Sequence, residues 1–531
     1  MARLGKGVLE NLTLAMYDDS RIIYREYIQN SSDQIDIARK EESFPNEKLE
    51  IVITLDTVNR NIFIKDNANG IPAKEVEKRL GDVADSEKVQ GENKGFRGIG
   101  RLGGIGYCKE LRFVTTYRGE STETTMIWNA QRLHEIITDA SDHTSAENIL
   151  NEVITYESKK VDKNTHYFEV QMLGVDEADD KLLDYDNVKQ YISEVAPVDY
   201  ANTFIYSSKV YDFIKENDEV PPLTCYDISI RENDGEIVDI YKEYPTSIYK
   251  MVGVGKNAKR EKIDDVKDIH ADILRDSQGK PIAWIWYAIT AFQGQINDLG
   301  NPWRCLRLRQ FNIQIGNNNT LSKYFKETRG NGYFLGEVHT INKKLRPNAR
   351  RDWFNESLET IELEKALREY FKKLTQIYKM GSDLNSGFRK IANADDLQKK
   401  FVKKDSEGKF VNNEDREKAV LSLQKAKDDA ENGIKVIEKY KQKAKEDGNS
   451  AISKIVDAIS KKHKEVPKKI KPIDIGKISH KPKIILVDKL SSMNKKERKL
   501  VSKIYEIIKK NLENEVAEEL INKIQEELKN G

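Results

Sequence analysis

Residues 26–36 read EYIQNSSDQID, and the reading of the whole chain turns on their polar positions. Glu26, Asn30 and Asp33 follow at i, i+4 and i+7, so on a helix they share one face, with Ile22, Ile23 and Ile35 as apolar packing nearby. A carboxylate and a carboxamide one turn apart can divide two tasks. The amide oxygen of Asn30 is a hard ligand suited to Mg2+, which takes few protein atoms beside phosphates and water. Glu26 then sits where it can orient or deprotonate a water attacking a terminal phosphate. A solvated polar helix face has the same pattern, so the assignment needs support from elsewhere in the chain.

That support lies downstream. Asp66-Asn67-Ala68-Asn69-Gly70 directly follows a strand pattern at 61–65. An aspartate at a strand end can accept a hydrogen bond from an exocyclic amine of a base, and Gly70 lets the chain turn tightly beneath a ring; a plain β-turn looks much the same. Seven of the sixteen residues 91–106 are glycine, where usual abundance gives about one. Such a run leaves N–H groups unhindered and can cradle phosphate oxygens, although a glycine-rich loop without a ligand is the alternative. The pattern G-x-x-x-x-G-K-[ST] is absent, which argues against a Walker-type site.

Taken in order, Glu26-x-x-x-Asn30-x-x-Asp33, then Asp66 to Gly70, then Gly95-Phe96-Arg97-Gly98-Ile99-Gly100 resembles the GHKL superfamily: DNA gyrase B, the ninety-kilodalton heat-shock chaperones, histidine kinases and MutL-type mismatch-repair ATPases. The resemblance implies an α+β Bergerat fold, with helices over a mixed sheet and a lid between the second and third motifs. It also implies ATP and Mg2+ as ligands and a slow ATPase, with Glu26 catalytic and Asn30 on the metal. Asp33, Asp66, Gly70, Gly95, Phe96, Arg97, Gly98, Ile99 and Gly100 would join Asn30 around the nucleotide. Thr165, in Asn164-Thr165-His166, would reach the adenine through water. Residues 26–36 look closest to the chaperone branch, and GFRG is also similar to MutL-type proteins. Ala68 stands where the family's D-x-G-x-G usually has glycine.

Further along, residues 334–338 (FLGEV) and 345–352 (LRPNARRD) look like the chaperone middle domain, whose loop delivers an arginine to the γ-phosphate. Arg351 falls on that position, with Arg350, Arg346 and Lys344 as substitutes. A guanidinium can neutralise charge on a transferring phosphoryl group, and a loop from another domain makes hydrolysis depend on closure. Simple pairing of Arg350 and Arg351 with Glu356 or Asp352 is the alternative.

The chain has 531 residues, which predicts about three domains. Their expected bounds are 1–205 for the ATPase domain, 206–378 for an α/β middle domain of transducer type, and 379–531 for a helical Lys-rich tail. Strands are expected at 49–55, 61–65, 110–117, 166–172, 282–291 and 306–315, and helices at 19–40 and 356–378. With 38% hydrophobic residues the chain can bury cores, but it lacks the roughly 20 consecutive apolar residues of a membrane span. No secretory signal is visible, and Cys108, Cys225 and Cys305 are too few and too far apart for a disulfide scaffold, so a cytoplasmic protein with reduced thiols is expected. The seven histidines show no metal-ligand spacing and read as ordinary surface or core residues.

The tail separates the functional readings. Residues 461–510 hold 17 Lys+Arg against 5 Asp+Glu in a chain whose net charge is +1. Such a patch suits a phosphate backbone, or it is a solvated linker. Apolar positions from Leu500 to Leu528 form a helical stripe whose simplest use is a homodimer. The first expectation is a chaperone-like switch that closes through N-terminal dimerisation on a protein client or partner. The alternative is a nucleic-acid clamp resembling the MORC and MutL groups, with a role in defence against phage.

Overall fold

Strand alternation builds the first sheet. The computed structural model describes residues 4–13, 19–82, 100–253, 258–411, 413–446, 451–467 and 494–530. After helices α1 (Gly7–Thr13) and α2 (Ile22–Lys40) come strands β1 (Glu50–Asp56) and β2 (Asn61–Asp66), paired antiparallel with Ile53 opposite Ile64. Ile51, Ile53 and Leu55 on β1, and Ile62 and Ile64 on β2, all point into the core. The same period of two carries Asp66 onto that inner face, where it is wholly buried.

Strands β3 (Cys108–Thr116), β4 (Thr122–Asn129), β5 (Ile154–Lys160) and β6 (Tyr167–Val175) follow, with helices α3 (Ala130–Thr138) and α4 (Ala146–Val153) between β4 and β5. Then come α5 (Tyr185–Val195), α6 (Ser207–Glu216), β7 (Asp227–Glu232) and β8 (Val238–Asp239). The sheet order is β5-β4-β3-β6-β2-β1-β7-β8, antiparallel except where β7 lies parallel to β1. The sheet thus takes its last two strands from beyond residue 205, and they cover what would otherwise be the open edge of β1.

The second half of this compact unit, which spans 1–288 and 295–375, has a ribbon of β9 (Ser247–Val252) and β10 (Lys259–Asp265). It also has a five-stranded sheet built from β11 (Asp268–Arg275), β12 (Pro281–Ile289), β13 (Cys305–Gln310), β14 (Ile313–Ile315) and β15 (Leu335–Thr340). The single strand expected at 306–315 is a tight hairpin, because Phe311 and Asn312 take positive φ and turn the chain back. Trp284, Trp286 and Tyr287 of β12 are core residues.

One buried carboxylate organises this half. Glu337 on β15 is contacted by Arg309 Nε at 2.5 Å, Lys242 Nζ at 3.1 Å and His339 Nε2 at 2.9 Å, and it accepts from the Tyr200 hydroxyl at 2.6 Å. Burial opposes its charge, but Arg309 and Lys242 hold it well below the ordinary carboxylate range. Burial and the nearby Arg309 lower Lys242 to about 8 against the pull of Glu337, and burial lowers His339 to about 4. Arg309 also donates to the Glu194 carbonyl at 2.7 Å and Arg307 to the Glu194 carboxylate at 2.9 Å, so the cluster fastens the five-stranded sheet to α5.

The second unit comprises 289–294 and 376–531. The helix expected at 356–378 is α7 (Leu358–Ser406), far longer than anticipated, and α8 (Asn413–Glu446), α9 (Ala451–Lys462), α10 (Lys495–Asn511) and α11 (Asn514–Asn530) follow. Gly387 of α7 and Gly433 of α8 meet so closely that a Cβ on Gly433 would lie 2.8 Å from the Gly387 carbonyl oxygen. The 500–528 stripe is broken at Leu512, which is extended. Tyr505 and Ile521 then pack together across the two helices, while Leu500, Ile507 and Val516 stay exposed. No helix among the described residues is long and apolar enough to cross a membrane.

Replacing Glu337 with Ala should destabilise the fold by about 3 to 5 kcal/mol, because Lys242 and Arg309 would remain buried without their counterion. Chemical denaturation of the two proteins checks this, and a difference under about 1 kcal/mol would remove the cluster's organising role.

Candidate active site

Helix α2 buries Ile23, Tyr27, Ile28 and Ile35 against the sheet, and Arg39 and Lys40 sit favourably at its negative C-terminal end. Its polar residues are drawn inward with them. Glu26 is 6% exposed and Asp33 is buried, while Asn30, one turn past Glu26, is half-buried. Gly100 closes on this face, since a Cβ there would lie 2.5 Å from Glu26 Oε2.

Asp66 lies under the same helix. Its Oδ1 accepts from the Ala68 N–H at 3.2 Å and Ser31 also hydrogen-bonds to it, but buried Oδ2 has no hydrogen-bond partner. Burial pushes its pKa up to about 7 against those two hydrogen bonds. A buried acceptor oxygen with no donor is costly and fits a donor supplied from outside the chain. Gly70 has φ 69°, and a Cβ would fall 2.1 Å from the Thr116 carbonyl oxygen, so the turn demands glycine. Thr165 lies alongside, its carbonyl accepting from Thr116 Oγ1 at 3.0 Å.

Arg351 comes to this place from the loop after β15. Its backbone has φ 54°, its carbonyl accepts from the Gly316 N–H at 2.7 Å, and its Nε lies 3.1 Å from Glu26 Oε1. Of the other basic candidates, Lys344 is exposed near Glu359, and Arg346 and Arg350 are exposed. Asp352, the alternative partner, is held by Asn348.

Three neighbours were not visible in the sequence. Arg25 is buried beside Glu26, its NH2 3.5 Å from Glu26 Oε1 and donating to the Arg350 carbonyl at 3.3 Å. Gln29 is buried with no hydrogen-bond partner for Oε1, as is Nε of Arg101, whose NH2 donates to the Asp82 carbonyl at 2.5 Å. A helical surface arginine and a buried one read alike in sequence, so only the position of Arg25 next to Glu26 was a clue. Gly95, Phe96, Arg97, Gly98 and Ile99 lie outside the described residues.

Residues 23–168 match a protein family described as histidine kinase-, DNA gyrase B-, and HSP90-like ATPase. The match supports the GHKL superfamily. It supports an ATP-binding domain of the ATPase type, and its span includes each expected nucleotide-site residue except Arg351. Comparison with curated proteins finds no match.

Gly100→Ala should displace the Glu26 carboxylate and lower ATP hydrolysis about a hundredfold, the scale of a misplacement near 1 Å. Phosphate release measured beside a thermal melt checks this; an unchanged rate would mean that the glycine's closeness to Glu26 has no consequence.

Proposed function

We propose that the chain is an ATP-hydrolysing conformational switch in which Glu26 is the general base and Arg351 the charge-neutralising group. The observation that carries this reading is the 3.1 Å approach of Arg351, from a loop more than 300 residues away in sequence, to Glu26. In that pair the guanidinium holds the carboxylate's charge and withholds it from water. A γ-phosphate competing for Arg351 frees Glu26 to take a proton from the water that attacks phosphorus, as the bond to ADP breaks. Mg2+, held through the Asn30 amide oxygen, would supply charge neutralisation at the β- and γ-phosphates. Asp66 accepts from the adenine amine, Gly70 turns beneath the ring, and Asp33 and Thr165 complete the pocket. Gly95 to Gly100 would supply the phosphate cradle.

The likeness of residues 334–338 and 345–352 to the chaperone middle domain favours a protein client or partner. The exposed stripe left on α10 and α11 suits a homodimer. The sequence surplus in 461–510 favours the second reading, a nucleic-acid clamp.

Glu26→Ala and Arg351→Ala should each keep ATP affinity while hydrolysis falls at least about a hundredfold. Titration calorimetry and single-turnover assays check both, and near-normal turnover in either variant would sink that residue's role.

The raised Asp66 sets a pH dependence. Its folded pKa of about 7 lies above the unfolded value of 3.8, so in the free chain the carboxyl is neutral below 7 and its burial cost grows as pH rises towards 7. The ionised carboxylate is the stronger acceptor for the adenine amine, so ATP affinity should fall as pH drops below 7 and level off above it. An affinity flat from pH 5.5 to about 8 would contradict Asp66 as the acceptor.

For the clamp reading, binding to random-sequence DNA should weaken with salt at a log–log slope near −0.9 per phosphate contact. Replacing Lys461, Lys462, Lys464, Lys468, Lys469 and Lys471 with Gln should flatten that slope by several units; the last three lie outside the described residues. No retention on DNA at about 50 mM salt leaves the protein-partner reading.

A further inference from the structure

His166 follows Thr165 and is no ordinary surface histidine. Its ring stacks on Phe44 with centroids 3.9 Å apart and planes 13° from parallel, and its side chain is 8% exposed. Nδ1 lies 3.0 Å from the Ala68 carbonyl oxygen, and Nε2 lies 3.0 Å from Glu47 Oε2. A carbonyl can only accept, so Nδ1 donates to it.

Ala68 is the residue whose N–H holds Asp66 Oδ1. Its peptide groups are therefore fastened at both ends, one by Asp66 and one by His166. The segment 41–50 braces the same turn at further points: Asn69 Nδ2 donates to Glu41 Oε2 at 3.0 Å, Asn67 Nδ2 to the Lys48 carbonyl at 2.8 Å, and the Glu50 N–H to Asn67 Oδ1 at 2.8 Å. Arg118 covers the far side, its guanidinium over the Phe44 ring and hydrogen-bonded to the Ser43 carbonyl.

We infer that His166 is a positioning residue of the nucleotide site, which sets the Asp66 turn through the Ala68 carbonyl and so fixes how well the pocket selects adenine. The inference rests on the reading of Asp66 as the adenine acceptor. His166 itself touches no nucleotide atom in this account; it acts through the peptide that orients Asp66, and Glu47 acts through His166.

A three-variant series on the full chain tests it, with ATP and GTP affinities measured by titration calorimetry. In His166→Asn the amide nitrogen takes the place of Nδ1 and can still donate to Ala68, whereas in His166→Gln it takes the place of Nε2 and reaches only Glu47. Asn should hold ATP affinity within about threefold of wild type, while Gln and Ala should lose about tenfold or more, the scale of leaving a buried acceptor without its donor. The preference for ATP over GTP should shrink in Gln and Ala but persist in Asn. Equal losses in Asn and Gln that follow the melting temperature, with the ATP preference unchanged, would make His166 a packing residue and overturn the inference. So would wild-type affinity and preference in all three. Asp66→Asn, run alongside, separates the premises: if it binds ATP as well as wild type does, the acceptor reading fails first and this inference with it.

Discussion

The burial of Glu337 is the constraint around which the second half of the first unit is arranged. A carboxylate taken wholly out of water must find cations and donors, and here Arg309, Lys242 and the Tyr200 hydroxyl converge on it from three other stretches of chain, beside His339 of its own strand. Neither the Arg309 nor the Lys242 stretch can move alone without stranding a buried charge. Because Arg307 and Arg309 also reach Glu194, the five-stranded sheet is tied to α5 of the first sheet. The loop bearing Arg351 leaves β15 only a few residues past Glu337, so it starts from a fixed point.

At the other end of that loop the electrostatics are local and different in kind. Two arginines approach one oxygen of Glu26: Arg351 at 3.1 Å and Arg25 at 3.5 Å. Arg25 also binds the backbone of the Arg350–Arg351 loop, so a residue of α2 secures the loop that contacts its neighbour. In a buried setting such charges are weakly screened, and a polyanion with a claim on the same guanidinium would change the pairing more than its size suggests.

The fold was largely legible from pattern. Period-two alternation located β1, β2, β3 and β6 to within three residues at each end, and helical spacing located α2 equally closely. Where the reading missed, a tertiary cause intervened. Two consecutive positive-φ residues, Phe311 and Asn312, are not glycine and gave no turn signal, yet they fold one expected strand into a hairpin. Likewise β7 and β8 join the first sheet across a long parallel crossover, which no local pattern encodes. In the Lys-rich tail the passage 467–482, with Pro467, Pro472 and Pro482, reads as a non-helical hinge between helical pieces, and all of it but Pro467 lies outside the described residues.

Residue types and spacing alone determined that Glu26, Asn30 and Asp33 share a helix face, that Asp66 ends a strand in phase with its buried side, and that Gly70 follows as a turn. Those are local properties, set by the 3.6- and 2-residue periods of the backbone. Tertiary structure alone decided that Arg351, rather than Arg350 or Lys344, lies on Glu26, that Arg25 is buried, and that His166 joins Ala68 to Glu47. The reason is physical: a charged or polar side chain reads as surface in sequence, and it becomes part of a buried site only when distant chain segments close around it and supply the partners that offset its desolvation.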